Sequence, residues 1–552
     1  MSAASLPWHL ADIWEAYARQ IPDMPALVHG DHVLSWSQFE DHADRLAAWL
    51  CAQGHGAGSK VAILSRNRIE FMEVYFAAIK IGATPFGVNY YYKQRELRDV
   101  LDYAETEILF VEPELLELAQ AVAPELERLR GVVAFEGASA TQVSDYDFLK
   151  SGPRLATPMK RTGDEIRMVL TGGTTGKPKG VLFRMRDVAR SYMKGWERLD
   201  RRIPESADDA VSAGVAAARG GRRHINMNCC PQMHGHGIAT GTCMALTMGG
   251  TVITLDRRRF DAARVWELIE AHRATQLVFA GDAFAVPLVG ALEAATDRDL
   301  QSLKSINSTG AHWSRWTKEI FLKHLDVVLW DGLAATEAGM GVMRSHRGEL
   351  AMVEAFIPNP NVFLIDENMQ RIDPGSDRIG KIVVQTPSPF AYFRDPAKSA
   401  ETFLTIDGKP HSAPGDFGRY RPDGTIAFLG RQATVVNSGG EKVHVDEVER
   451  VIREIDGVHS AAVVGAPDPV FGEVVAAVIE ARPGTDITAR AVTQHVQSQL
   501  AGFKVPRHVV FVDAVPVQAH GKTDYQTARA IVREYLGRAA DAGVSSAASD
   551  RR

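Results

Sequence analysis

Cysteine is scarce: the chain has 552 residues and only Cys51, Cys229, Cys230 and Cys243. So few thiols cannot staple a chain of this length, which argues against a secreted disulfide scaffold and for a reducing compartment. A basic surplus is missing too, since 62 Lys and Arg stand against 68 Asp and Glu for a formal net charge of −6. Nucleic-acid partners need a positive footprint to neutralise phosphates, so none is expected. The one tight basic run, Arg257–Arg259, reads as a solvated face. No apolar run approaches the roughly 18 to 20 residues of a membrane-spanning helix. The opening MSAASLPWHLADIWEAY lacks the basic start and apolar stretch of a secretory signal. The expectation is a soluble, cytoplasmic protein with no integral membrane segment.

With 45% hydrophobic residues, the chain has ample material for a large core and more than one folding unit. Helical and strand patterns alternate. Residues 37–54 place Phe39, Ala43, Leu46, Ala47 and Leu50 at helical spacing and stop at Gly54; residues 69–82 form a second helical stretch ending in glycine. Residues 60–65 (KVAILS) and TPFGVN read as strands, as do MVLT (168–171), TVITL (251–255), QLVFA (276–280), VVLW (327–330) and KIVVQ (381–385). Such alternation predicts an α/β fold with mostly parallel strands. Residues 205–224, rich in small side chains and ending Gly-Gly-Arg-Arg, read as a surface excursion. A boundary near 430–434 predicts residues 1–430 as a large domain and 431–537 as a small one. Residues 538–552 read as a disordered tail.

The most informative segment is TGGTTGKPKG, residues 171–180, directly after the apolar MVL. Glycines let the backbone wrap an anion with its amides turned inward, and threonine hydroxyls and lysine add donors and charge. The usual P-loop is excluded, because Gly176-Lys177 is followed by Pro178 and not by Ser or Thr. A plain glycine-rich turn is the alternative. Elsewhere, Cys229, Cys230, His234 and His236 lack the paired spacing of a metal site, and a structural histidine in a buried turn competes with any functional role for His234.

The whole string 171–180 resembles the signature loop of the adenylate-forming superfamily, closest to bacterial fatty-acyl and steroid-acid CoA ligases. The resemblance runs in motif order over roughly residues 10 to 535. It implies a large N-terminal domain of layered sheets and helices and a small mobile α+β C-terminal domain. It gives the β- and γ-phosphates of ATP to Thr171, Gly172, Gly173, Thr174, Thr175, Gly176 and Lys179. PQMHGHG (231–237) is similar to the segment gating the acyl and pantetheine tunnel, with His234 as the gate. STGAH (308–312) takes the place of the segment framing adenine and the acyl pocket, through Gly310 and Ala311. In VVLWDGLAATEAG the resemblance marks Asp331, Thr336 and Glu337, the last as the carboxylate that holds Mg²⁺, a hard cation preferring oxygen ligands. Leu333 and Ala334 depart from the family's Tyr-Gly at that point, so adenine would pack on an aliphatic chain. Considered alone, Glu337 reads as a helix-start carboxylate.

Further on, Asp416 matches the ribose-binding aspartate, and Arg431 the arginine near ribose and α-phosphate. Ala433 stands where many members have a charged hinge residue. Gly439 and Gly440 match the backbone that admits the pantetheine arm. Lys522, in VPVQAHGKTDY, matches the adenylation lysine, whose ammonium would neutralise charge gathering on the α-phosphate. The implied chemistry is ATP-dependent formation of an acyl-adenylate, then transfer to coenzyme A, with His234, Gly310, Ala311, Met340 and Gly341 lining a pocket for a hydrophobic acid. A carrier protein or amine as acceptor, an unusual acid such as nitrite, and a homodimer remain open expectations.

Overall fold

The computed structural model describes residues 5–136, 143–157, 159–172, 178–199, 201–295, 297–311, 313–350, 355–376, 378–431, 435–482, 484–516 and 523–541. It divides into two compact units. One spans Met1–Tyr90, Leu97–Thr171 and Lys179–Gly430; the other takes Tyr91–Glu96, Gly172–Pro178 and Arg431–Arg552.

In the first unit, strands Lys60–Leu64, Thr84–Gly87, Ile108–Val111, Gly131–Ala134 and Val143–Asp145 form an all-parallel sheet. Val61–Leu64 is apolar and buried throughout because helices cover both faces of such a sheet. One of them, Ile69–Lys80, is buried at every position but Glu70. A second, larger sheet carries Ile225–Asn228, Gln276–Phe279, Ser305–Thr309 and Val328–Ala335 as parallel neighbours, then turns antiparallel at Ala338–Ser345. A third pairs Ile166–Gly172, Pro178–Arg184 and the short Ala391–Tyr392. Trp14, Tyr17, Trp36, Phe39 and Phe76 pack ring against ring in the principal core.

Residues 205–224 are not a surface excursion. Ala207–Arg219 is a helix, capped by the Ser206 side chain on the Asp209 amide, with Ala207, Ala210, Val211 and Val215 buried. Its small residues permit a close approach. Tyr17 donates its hydroxyl to the carbonyls of Ala210 and Thr247, at 3.0 and 3.2 Å, and a Cβ added at Gly214 would press into that hydroxyl.

The second unit is a five-stranded sheet covered on both faces. Along Val458–Asp468 the side chains alternate: Ala461 and Val463 enter one core, Ala462, Val464 and Ala466 the other. The helix Tyr525–Asp541 packs on the second face and carries the chain past Arg538, where the tail was expected to begin. Among the described residues no helix is long and apolar enough to cross a membrane.

Candidate active site

Thr171 is the penultimate residue of the strand Ile166–Gly172, and Lys179 the second of the next, Pro178–Arg184. Of the loop between them, Gly173, Thr174, Thr175 and Gly176 lie outside the described residues, as do Lys522 and the side chain of Arg431. Lys179 is half-buried, its ammonium 5.4 Å from the ring centroid of Tyr392. That ring is placed by strand pairing, because Tyr392 lies opposite Val181.

Thr336 and Glu337 occupy a two-residue hairpin turn, with Ala335 paired to Ala338 across it. This corrects the helix-start reading: antiparallel register, and not a helix dipole, presents the carboxylate. Glu337 is buried, and Tyr392 donates its hydroxyl to Glu337 Oε1 at 2.7 Å. One tyrosine thus contacts both Glu337 and Lys179. Sequence reasoning missed Tyr392, which stands 55 residues from Glu337.

His234 stands at the N-cap position of the short helix Gly235–Ile238, with no side-chain capping hydrogen bond. A Cβ at Gly235 would lie 3.8 Å from both Thr336 Oγ1 and Val169 Cγ1, so the His234 segment, the hairpin turn and the phosphate-loop strand meet here. Gly310 follows the strand Ser305–Thr309 with φ +89° and open space where a side chain would project. Ala311 beside it is half-buried. Asp416 is buried at the start of Asp416–Tyr420. Asp331 forms a buried ion pair with Lys318 at 2.6 Å. Met340 belongs to a core with Phe356 and Leu364, and a Cβ at Gly341 would meet Phe356, so neither lines an open pocket. The reason is strand pairing, which turns this stretch against Ala355–Pro358.

The four cysteines are free, and burial pushes the thiols of Cys229 and Cys230 upward. Among the described residues no group of three His, Cys, Asp or Glu is placed to hold a metal, so the Cys229–Cys230–His234–His236 alternative has no geometric basis. In the second unit Gly439 and Gly440 form the turn between Val435–Ser438 and Glu441–His444, with φ +60° and +93°. A Cβ at Gly439 would lie 2.7 Å from the Phe471 ring.

Residues 14–392 match the family model for AMP-binding enzymes, and residues 447–522 that for the AMP-binding enzyme C-terminal domain. A medium/long-chain-fatty-acid–CoA/3-oxocholest-4-en-26-oate–CoA ligase from Mycobacterium tuberculosis is 35% identical, covering 94% of this chain and 95% of the relative. A 3-oxocholest-4-en-26-oate–CoA ligase from Rhodococcus rhodochrous is 32% identical over 94% and 95%. Among solved structures, an amide bond synthetase from Marinactinospora thermotolerans superposes with a TM-score of 0.75 at 24% identity, covering 93% of this chain and 99% of that one, a likeness of fold. Matches to both family models and to relatives over nearly their whole length show that the chain belongs to the AMP-binding enzyme family, as an AMP-forming acid–CoA ligase.

Proposed function

We propose that this ligase activates a hydrophobic carboxylic acid, of fatty-acyl or steroid side-chain type, as its adenylate and transfers the acyl group to coenzyme A. The observation that carries the assignment of roles is the Tyr392 contact set: a buried carboxylate and a half-buried ammonium gathered on one ring, at the mouth of the phosphate-loop strand. Glu337 would hold Mg²⁺, which offsets charge on the triphosphate. The donor set suits a hard cation, being carboxylate oxygen with the Thr336 hydroxyl adjacent in the turn. Lys179 and Lys522 supply positive charge to the phosphates, Asp416 accepts from the ribose hydroxyls, and Gly439–Gly440 offer backbone to the pantetheine arm. No side-chain nucleophile is required, since the adenylate is already an activated acyl donor and positioning suffices. A reducing, cytoplasmic setting is supported by the four free thiols.

The relatives' named acids, medium and long fatty acids and a 3-oxo steroid acid, support the substrate class. The test is pyrophosphate release across saturated fatty, steroid and aromatic acids, with products identified in the presence of CoA, an amine or a carrier protein. Release with fatty or steroid acids and an acyl-CoA product is expected. A product formed only with amine or carrier protein would overturn the acceptor.

A further inference from the structure

Lys179 and Tyr392 stand on two paired strands, and a side chain from elsewhere in the same unit is built into the pairing next to both. In an antiparallel ladder, two residues that exchange hydrogen bonds do so in both directions. Phe393, the residue after Tyr392, donates its N–H to the carbonyl of Gly180, the residue after Lys179, at 2.7 Å. The return path runs through Tyr103. The Gly180 N–H donates to the Tyr103 hydroxyl at 3.1 Å, and that hydroxyl donates to the Phe393 carbonyl at 2.7 Å. One phenol thus accepts from one strand and donates to the other.

Tyr103 ends the helix Gln94–Tyr103 and lies in the first unit, as Lys179 and Tyr392 do. Its ring packs edge-on against Phe393, with centroids 5.9 Å apart and planes at 85°. Two residues on, Glu105 adopts φ +54° and pairs with Arg394 at 3.3 Å, so the end of this helix is tied to the same turn a second time. Burial pushes the Tyr103 phenol above its ordinary range, so the hydroxyl keeps the proton it donates. Gly180 permits the close approach, since a Cβ there would lie 2.6 Å from Met168 Sδ and 3.1 Å from Phe393 Cβ.

The bridge secures a weak point of the fold. Ala391–Tyr392 is two residues long and lies at the edge of a three-stranded sheet, so its own ladder bonds are few. Side chains alternate along a strand, so Lys179 shares a face with Val181, and Tyr392 stands opposite Val181 on that face. A slip between the two strands would change the 5.4 Å separation of the Lys179 ammonium and the Tyr392 ring. It would also move the hydroxyl whose hydrogen bond Glu337 accepts.

We propose that Tyr103 is a positioning residue for adenylation, its hydroxyl fixing the register between the strand that carries Lys179 and the one that carries Tyr392. This role rests on the reading above, in which Lys179 serves the phosphates and Glu337 the metal, and adds to it a residue that acts through both.

Tyr103→Phe keeps the ring against Phe393 and removes the bridging hydroxyl. Both half-reactions are measured on one preparation: pyrophosphate release with a saturated fatty acid, and acyl-CoA formation from preformed acyl-adenylate. Loss of the two bonds is expected to lower kcat/KM for ATP about tenfold, most of it in KM, with thioester formation largely kept. Half-saturating Mg²⁺ is expected to rise in the same variant. In a Tyr392→Phe background it is expected to move no further, because the hydroxyl through which Tyr103 reaches Glu337 is already absent. Phe393→Leu is the packing control: it loses the ring contact but keeps the backbone carbonyl, and is expected to leave the ratio of the two half-reactions at the wild-type value. A reduced folded fraction lowers both rates together and cancels in that ratio. An unchanged ratio in Tyr103→Phe, or an equal change in Phe393→Leu, would overturn the positioning role. Lys179→Ala is run alongside and is expected to raise KM for ATP; an unchanged KM there would instead overturn the phosphate role on which the inference rests.

Discussion

Tyr392→Phe separates two contacts made by one residue. The ring that faces the Lys179 ammonium at 5.4 Å is kept, while the hydroxyl that donates to Glu337 Oε1 at 2.7 Å is removed. A hydrogen bond to a charged, buried acceptor contributes about 1.5–3 kcal/mol. At about 1.4 kcal/mol per factor of ten, its loss allows a fall of roughly ten- to a hundredfold in any step that needs Glu337 held in place. If Glu337 holds Mg²⁺, the loss falls on metal use: half-saturating Mg²⁺ rises about tenfold in the pyrophosphate-release assay, and excess Mg²⁺ restores most of the rate. Glu337→Gln is expected to be slower than Tyr392→Phe at every Mg²⁺ concentration. An unchanged Mg²⁺ midpoint in Tyr392→Phe, with the rate uniformly reduced, would refute the positioning role.

Gly214→Ala places a methyl group against the Tyr17 hydroxyl and 2.8 Å from the Met248 carbonyl oxygen, so overpacking is expected to destabilise the protein by about 1–3 kcal/mol, read from urea unfolding. A variant as stable as wild type would show that the helix Ala207–Arg219 does not pack against Tyr17. Burial lowers the His224 pKa from 6.5 to about 4, with Arg201 adding in the same direction. Between those values the unfolded state binds more protons than the native one, so stability falls as the pH drops through the window, by about 3 kcal/mol for this group. His224→Gln is expected to flatten the dependence of the urea midpoint between pH 7 and pH 4; parallel curves for variant and wild type would contradict the assignment.

The elements legible in the sequence are those whose own pattern decides them. Lys60–Leu64 is a strand because the short apolar run Val61–Leu64 suits a sheet covered on both faces, and residues 36–52 are a helix because their apolar positions recur at helical spacing. Ala207–Arg219 was not legible. Its small residues carry little apolar signal, and what they make possible, close approach to Tyr17, depends on a residue about 200 positions earlier. Thr336–Glu337 was misread in its local structure for a related reason: a hairpin turn is defined by the pairing of Ala335 with Ala338, which single-strand periodicity does not reveal. In the site, motif residues such as Lys179 and Glu337 could be named from their strings, whereas Tyr392 could not, because its role comes from pairing to Val181.

Division of the reaction between two lysine- and glycine-dependent steps is the central claim, and Lys522→Ala tests it most directly. Adenylation of a saturated fatty acid is followed by pyrophosphate release, and thioester formation by acyl-CoA appearance from preformed acyl-adenylate. The expected result is a fall in adenylation on the order of a hundredfold or more, as for loss of a transition-state electrostatic contact, with thioester formation from preformed adenylate largely kept. Both half-reactions surviving unchanged, or both falling by the same factor, would contradict it.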